Sequence, residues 1–205
     1  MAERAGAAER AAWAAGLAAG WAGGYFALGS VAPARARDLA GPLDAWIPFV
    51  PESVWPYLFG VAAIAAPAVG LRGRTRLRRT AAAYALALAA SFLAFALFPV
   101  TSVGLRARGE ALAEVAPLTA WALERLYALD PPYNLFPSLH VSLSWLAARA
   151  LARESPRLGA LGFAAAAVVA VSACTVKQHF ALDVAGGVAL AELANALTEG
   201  AGLER

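Results

Sequence analysis

Residues 80–100 read TAAAYALALAASFLAFALFPV, an uninterrupted run of 21 residues without a single charge. A helix needs about 20 apolar residues to cross the hydrocarbon core of a bilayer, so this stretch predicts a membrane-spanning helix. The composition agrees, because hydrophobic residues make up 60% of the 205-residue chain and charged residues only 15%. Soluble globular proteins carry about 25% charged residues. An ordinary cytosolic protein and a disordered chain are therefore excluded.

Five further apolar stretches accompany the first one along the chain. In order, the six stretches are residues 11–31, 53–71, 80–100, 137–152, 158–174 and 182–198. Only helices and closed barrels span membranes, because every backbone polar group must be satisfied there. The sequence therefore predicts an all-α, polytopic membrane helix bundle with six transmembrane helices. We expect it to form a single membrane domain over residues 1–205, with the lipid bilayer as its surroundings.

The arginines predict how these helices are oriented in the membrane. Residues 72–79 include five arginines and no acidic residue, and residues 153–157 add two more arginines. Because cytoplasmic loops carry an excess of Lys and Arg, both loops and both termini are predicted to be cytoplasmic. The connections 32–52, 101–136 and 175–181 then face outward. A basic run can also bind nucleic acid, but one eight-residue run between two spans favours the topological role, and no nucleic-acid partner is expected.

The first span has two interpretations. A charged start, an apolar core and the small-residue triplets 32–34 or 34–36 are also typical of a cleaved signal peptide. Against cleavage, Gly16, Gly20 and Gly24 recur every four residues, a spacing that lets one helix backbone approach another closely in lipid. Cleavage would leave five spans with the same sidedness.

The chain contains only two histidines, and both lie beside predicted spans at the same membrane face. His140 follows Pro137 and Ser138 at the start of the fourth span. A proline at the first helical position leaves the next backbone N–H groups without helical acceptors, so this helix start predicts an anion site. Ser138 would add a hydroxyl donor and His140 would give or take a proton. The plain alternative is that His140 is an interfacial residue at an ordinary helix start.

The second histidine belongs to a more informative pattern. His179 and Asp183 are four residues apart, which places them on one helical face. Asp183 can accept from one imidazole nitrogen and leave the other as a nucleophile or base, while Lys177 offers a positive charge to a phosphate-like group. The alternative is a His–Asp capping pair with Lys177 extending to lipid headgroups. A zinc site is less favoured, since no further nitrogen or thiolate ligand stands at ligand spacing, and no metal or cofactor is predicted.

Both segments resemble motifs of the type 2 phosphatidic acid phosphatase superfamily, whose second and third motifs read P-S-G-H and S-R-x5-H-x3-D. Residues 136–141, FPSLHV, and 177–184, KQHFALDV, are similar to the branch that includes inositol phosphorylceramide synthases. The likeness covers about residues 80–198, the expected catalytic region.

The resemblance implies a metal-independent membrane enzyme and assigns roles to four residues. His179 would form a phosphohistidine, with Asp183 as its orienting carboxylate. His140 would protonate the leaving alcohol, and Ser138 would hold phosphoryl oxygens.

Three positions depart from the family pattern. Leu139 replaces the glycine of P-S-G-H, as it does in the named branch. Ala173 stands where the third motif has arginine, which leaves Lys177 to supply that charge. The first motif, K-x6-R-P, has no clean match, so Arg106 and Arg108 are the candidates for the remaining phosphate-binding cation.

The sequence thus predicts an enzyme of the inner or plasma membrane that hydrolyses a lipid phosphate monoester or diphosphate at the extracytoplasmic side. A phosphotransferase of the same mechanism, which moves a phospho-headgroup to an alcohol such as inositol, is the first alternative. The second is a non-enzymatic transporter or assembly subunit. Transporters usually bind near the bilayer midplane, whereas the ionisable residues of this chain cluster at one face.

Overall fold

The computed structural model of the protein describes residues 3–29 and 36–200, and within those ranges the chain is helical without a β-strand. This confirms the all-α prediction. The helices of the described ranges are α1 (Ala7–Gly29), α2 (Pro42–Trp46), α3 (Val54–Gly70), α4 (Arg74–Leu97), α5 (Glu110–Ala113), α6 (Pro117–Leu129), α7 (Leu139–Glu154), α8 (Pro156–Thr175) and α9 (Ala181–Gly200), and a 3₁₀ turn, Pro51–Ser53, precedes α3.

Each predicted span corresponds to one long helix, but in the described part of the chain four segments are long and apolar enough to cross a membrane. They are Pro51–Gly70, Arg74–Leu97, Pro156–Thr175 and Ala181–Gly200. The 16 residues of α7 extend about 24 Å, less than the hydrocarbon core of about 30 Å. The 23 residues of α1 are rich in alanine and glycine and carry charges in the first turn. An integral membrane protein is therefore supported, whereas the count of six transmembrane helices is not confirmed.

The shortest of the six long helices, α7, is the centre of the bundle and packs against α3, α4, α8 and α9. Its buried Leu143, Leu146 and Ala147 belong to the largest core cluster, together with residues of α1, α4 and α9. The hydroxyls of Ser142 and Ser144 are satisfied by carbonyls of their own helix, Leu139 and Val141. These bonds allow the two hydroxyls to be buried in the centre of the bundle, although the Nε atom of Arg149 on the same helix has no hydrogen-bond partner among the described residues.

The two ends of the bundle differ in charge. At the end that we call the basic end, Arg74 and Arg78 of α4 both pair with Glu9 of α1, and Arg76 pairs with Glu154 of α7. The opposite end, which we call the histidine end, carries the start of α7 and the link between α8 and α9. The ion pairs hold α1, α4 and α7 together at the basic end, in addition to any role of the arginines in membrane orientation.

Helix α1 is an integrated part of the described fold. A Cβ atom at Gly24 would lie 2.3 Å from the Phe92 ring of α4, so this glycine permits a close helix contact. At Gly16 and Gly20 the same atom would meet no neighbour within 4 Å, and the predicted close approach is therefore wrong for those two. The triplets at 32–36 lie outside the described residues except for residue 36.

The connection 101–136 contains helices that the sequence did not predict. The longer one, α6, lies over the start of α3, where the Trp55 indole donates to the Thr119 hydroxyl at 3.3 Å. Leu123 and Leu126 of α6 pack with Val54 and Tyr57 of α3 in a second core cluster. Helix α6 thus covers part of the histidine end.

Candidate active site

The start of α7 differs from the prediction by two residues. Pro137 is not the first helical residue, because α7 begins at Leu139 with Ser138 as its N-cap, and the peptide bond before Pro137 is cis. The Ser138 N–H donates to the backbone carbonyl of Asp183 at 3.0 Å. That N–H is therefore unavailable to an anion, and it joins α7 to α9 instead.

The Ser138 side chain explains why the helix begins where it does. Its Oγ accepts a hydrogen bond from the Val141 N–H at 3.4 Å, the contact that makes serine a preferred N-cap. The hydroxyl keeps its own proton to donate. The N–H groups of Leu139 and His140 are the first two of the helix and have no acceptor within it. Three donors at this helix start can thus face an anion.

The two histidines, distant in sequence, lie together in the fold. The ring centroids of His140 and His179 are 6.0 Å apart, with an angle of 63° between the ring planes. His140 is half-buried in the first turn of α7, and His179 is buried just before α9. The packing of α9 on α7 creates this pair. A group the size of a phosphate can contact both rings.

Asp183, in the first turn of α9, lies behind His179, but His179 precedes the helix, so the two do not share the predicted helical face. The distance between His179 Nδ1 and Asp183 Oδ2 is 3.3 Å, and the same oxygen accepts the Phe180 N–H at 2.9 Å. Asp183 has no exposed surface, and its Oδ1 has no hydrogen-bond partner among the described residues. With Nδ1–H directed at the carboxylate, the lone pair of His179 lies on Nε2. This nitrogen is free to act as a nucleophile or a base.

Tyr57 of α3 is a site residue that the sequence analysis missed. Its hydroxyl oxygen lies 3.1 Å from Nδ1 and 3.3 Å from Nε2 of His140, and the two rings are 4.7 Å apart. Tyr57 is 2% exposed. A tyrosine inside a predicted span was the available signal, since a buried phenol requires a hydrogen-bond partner. Nothing in the sequence indicated that His140 is this partner.

A second polar network joins three segments beside the histidine pair. The Asp130 carboxylate accepts from the Tyr25 hydroxyl at 2.5 Å and from the Gln178 amide at 3.0 Å. Arg106 donates to the Gln178 side-chain oxygen at 3.0 Å and to the carbonyls of Tyr127 and Asp130 at 2.7 and 2.9 Å. Burial lowers the pKa of Arg106, and the Asp130 carboxylate raises it. Arg106 therefore holds the segment just before His179 in place.

The other two predicted phosphate-binding cations do not contact the histidine pair in the described structure. Lys177 Nζ donates to the Ile47 carbonyl at 2.6 Å, so its charge is directed at the segment that follows α2. Asp44 of α2 accepts the Ala181 N–H at 2.8 Å and fixes the start of α9 from the same side. Arg108 is exposed, and its side chain has no hydrogen bond or ion pair to another described residue.

A comparison with protein families agrees with this geometry. The model of the PAP2 superfamily matches residues 44–197, a range that runs from α2 into α9 and includes both histidines and Asp183. The chain belongs to the PAP2 superfamily. No curated protein matches the chain, and no solved structure matches it.

Membership in the PAP2 superfamily indicates phosphatase or phosphotransferase chemistry, and with the apolar helices it indicates an integral membrane protein. It favours an enzyme over the non-enzymatic alternative. At the position of the third PAP2 motif's arginine, Ala173 is fully buried, and its carbonyl accepts the backbone N–H groups of Gln178 and His179 at 3.0 Å each. In this member of the PAP2 superfamily that position supports the histidine segment through the backbone. Helix α1 lies outside the matched residues.

Proposed function

We propose that the protein is an integral membrane lipid phosphatase, which hydrolyses a lipid phosphate monoester or diphosphate through a phosphohistidine intermediate. His179 is the nucleophile, Asp183 orients it, and His140 is the general acid and base. Ser138 and the first N–H groups of α7 bind phosphoryl oxygens.

The reaction proceeds in two displacements at phosphorus. The lone pair of His179 Nε2 attacks the phosphorus atom, the bond to the leaving oxygen breaks, and His140 gives this oxygen a proton. A water molecule then attacks the phosphohistidine, His140 takes a proton from that water, and the P–N bond breaks to release phosphate. Two such steps replace one more difficult displacement, and the imidazole returns to its initial protonation state.

One observation carries the proposal, namely the 6.0 Å separation of the two imidazole rings beside a buried carboxylate at 3.3 Å from one of them. A structural capping pair explains His179 and Asp183 but gives no reason for His140 to lie opposite. The Asp183 side chain is fully buried, and a buried carboxylate is stabilised by a histidine that becomes positively charged or phosphorylated.

The sidedness and the acceptor are part of the same proposal. The arginines of the basic end support a cytoplasmic location for that end, which leaves the histidine end and the active site extracytoplasmic in the inner or plasma membrane. Residues 136–141 and 177–184 are similar to the inositol phosphorylceramide synthase branch, which favours an alcohol acceptor such as inositol as the alternative to water. A phosphotransferase differs only in which hydroxyl attacks the phosphohistidine.

Purified protein in detergent micelles provides the test. We expect wild-type protein to release phosphate from lipid phosphates in the presence of EDTA, and His179→Ala to lower the rate by at least roughly 10⁴-fold, because the nucleophile is lost. Equal thermal unfolding of both proteins would show that the variant is folded. Addition of inositol or another alcohol tests the alternative, since a phosphorylated alcohol in place of free phosphate indicates transfer.

Full activity of His179→Ala would refute the nucleophile assignment. Loss of activity in EDTA that Mg²⁺ or Zn²⁺ restores would refute the metal-independent scheme.

A further inference from the structure

A cavity of about 600 Å³ runs through the bundle beside the histidine pair. Helices α1, α3, α4, α6 and α7 line it. At the histidine end the lining residues include His140, Tyr57 and Asp130, and at the basic end they include Arg10, Ala68 and Leu77. The Arg10 guanidinium donates to the Ala68 carbonyl at 2.7 Å and closes the cavity there. The candidate active site therefore borders this space through His140 and Tyr57, whereas His179 is not among the residues that line it.

The wall of this cavity is apolar even where it carries hydroxyl groups. The Tyr84 hydroxyl donates to the Ile64 carbonyl at 2.8 Å, and the Thr80 hydroxyl donates to the Arg76 carbonyl at 2.8 Å. A buried water needs two to four polar partners, and these bonds leave few in the middle of the cavity. The apolar wall of the cavity is therefore suited to bind a hydrocarbon chain.

The length of the cavity suits a chain longer than one leaflet. Arg10 and Tyr25 of α1 line its two ends, and 15 helical positions extend about 22 Å. Half of the hydrocarbon core of a bilayer is about 15 Å. The cavity is therefore long enough for a hydrocarbon chain that reaches beyond the middle of the bilayer.

An entrance exists between α1 and α3. Trp13 and Phe26 of α1 and Leu58 of α3 line the cavity and are 38%, 42% and 40% exposed. Large apolar side chains at a rim that faces the membrane let a lipid chain pass from the bilayer without contact with water.

We propose that this cavity binds a long hydrocarbon chain of the lipid phosphate, with the phosphate at the histidine pair and the end of the chain near Arg10 and Leu77. The inference rests on the proposed function, because the phosphate group anchors the chain. Helix α1 forms one wall and lies outside the residues matched by the PAP2 superfamily. It is therefore the element by which this protein selects its substrate by chain length.

A chain-length series tests the proposal. Single-chain alkyl phosphates of eight, twelve and sixteen carbons are assayed for phosphate release. We expect kcat/KM to rise with chain length, because a longer chain fills more of the apolar cavity. Ala14 lines the cavity near its basic end, so Ala14→Phe should lower kcat/KM for the sixteen-carbon substrate by about tenfold and leave the eight-carbon substrate unchanged.

The matched control is Ala15→Phe, on an exposed part of α1 that does not line the cavity. It adds the same phenyl ring to the same helix and should change neither substrate. An equal loss for every chain length, or an equal loss in both variants, would overturn the cavity assignment while leaving the phosphatase function intact.

A binding experiment separates the cavity from the chemistry. Wild-type protein is irradiated with a sixteen-carbon alkyl phosphate that carries a photoreactive group at its far end, and the labelled residues are identified. Labels at Trp13 or in the first turns of α4 would support the cavity even if no substrate released phosphate. Labels confined to lipid-facing residues such as Leu193 and Leu197 would overturn it.

Discussion

His140 is the residue at which three elements meet. It belongs to the first turn of α7, its ring lies 6.0 Å from that of His179, and the Tyr57 hydroxyl of α3 lies 3.1 Å from its Nδ1. The hydroxyl lies within 3.3 Å of both ring nitrogens, so it can form a hydrogen bond to either one and restricts the orientation of the imidazole. The nitrogen that it does not bond remains for the substrate. Tyr57 is therefore a positioning residue, which acts through His140 rather than on phosphorus.

We expect Tyr57→Phe to lower kcat by about tenfold with little change in KM, because the general acid loses its orientation while the phosphate contacts remain. Steady-state kinetics with a lipid phosphate provide the measurement. Tyr133→Phe is the control, since this half-buried tyrosine has no hydrogen bond to another described residue. A change in KM alone would contradict a positioning role and indicate contact with the substrate.

At the scale of elements, the site depends on how closely α9 approaches α7. Gly187 of α9 faces the start of α7, where an added Cβ would lie 2.7 Å from the Ser138 carbonyl oxygen and 3.0 Å from Val141 Cβ. Backbone atoms cannot move aside as a flexible side chain can. The absence of a side chain at this position therefore sets the distance between the helices that carry the two histidines.

We expect Gly187→Ala to separate the two helices, to lower the free energy of unfolding by about 1–3 kcal/mol, and to reduce kcat although no catalytic group is changed. Thermal unfolding in detergent and the phosphate-release assay measure the two effects. The same substitution at Gly16, where a Cβ meets no neighbour within 4 Å, should leave both unchanged. Wild-type activity and stability of Gly187→Ala would show that α9 approaches less closely than described.

At the scale of the whole molecule, the two ends of the bundle differ from each other. Ion pairs between arginines and glutamates occupy the basic end, and the candidate active site with its covering α6 occupies the histidine end. The cavity joins the two ends inside the bundle. Because cytoplasmic loops carry an excess of Lys and Arg, this difference predicts one orientation in the membrane, with the basic end in the cytoplasm.

We expect a cysteine at position 103 to be labelled in intact cells by a membrane-impermeant maleimide, because Val103 is exposed at the histidine end and this end is predicted to face outward. A cysteine in place of Arg72, whose side chain is 82% exposed, should be labelled only after permeabilisation. The native Cys174 is buried and can be replaced by serine. Labelling of position 72 in intact cells, with labelling of position 103 only after permeabilisation, would contradict the proposed orientation.

Much of the site was predictable because its signals are local. The spacing of His179 and Asp183 keeps the two side chains close together even though His179 precedes α9, and apolar runs of about 20 residues were sufficient to locate the long helices. The prediction failed where a residue had several possible partners. Lys177 carries the charge expected of a phosphate ligand but donates to Ile47, and the sequence offers no means to rank those two acceptors.

The amino-acid sequence alone was enough for the helical class and the position of each long helix, and it named three candidate catalytic residues whose roles stay predictions. Only the packing of the helices showed the contact between Tyr57 and His140 and the hydrogen bond from Arg106 to Gln178. The close approach at Gly187 and the cavity beside α1 also became visible only in the packed structure. The physical reason is the distance along the chain over which the deciding interactions act. Helix formation and hydrophobic length depend on residues within a few turns, whereas a cavity or a pair of distant side chains depends on how whole helices fit together.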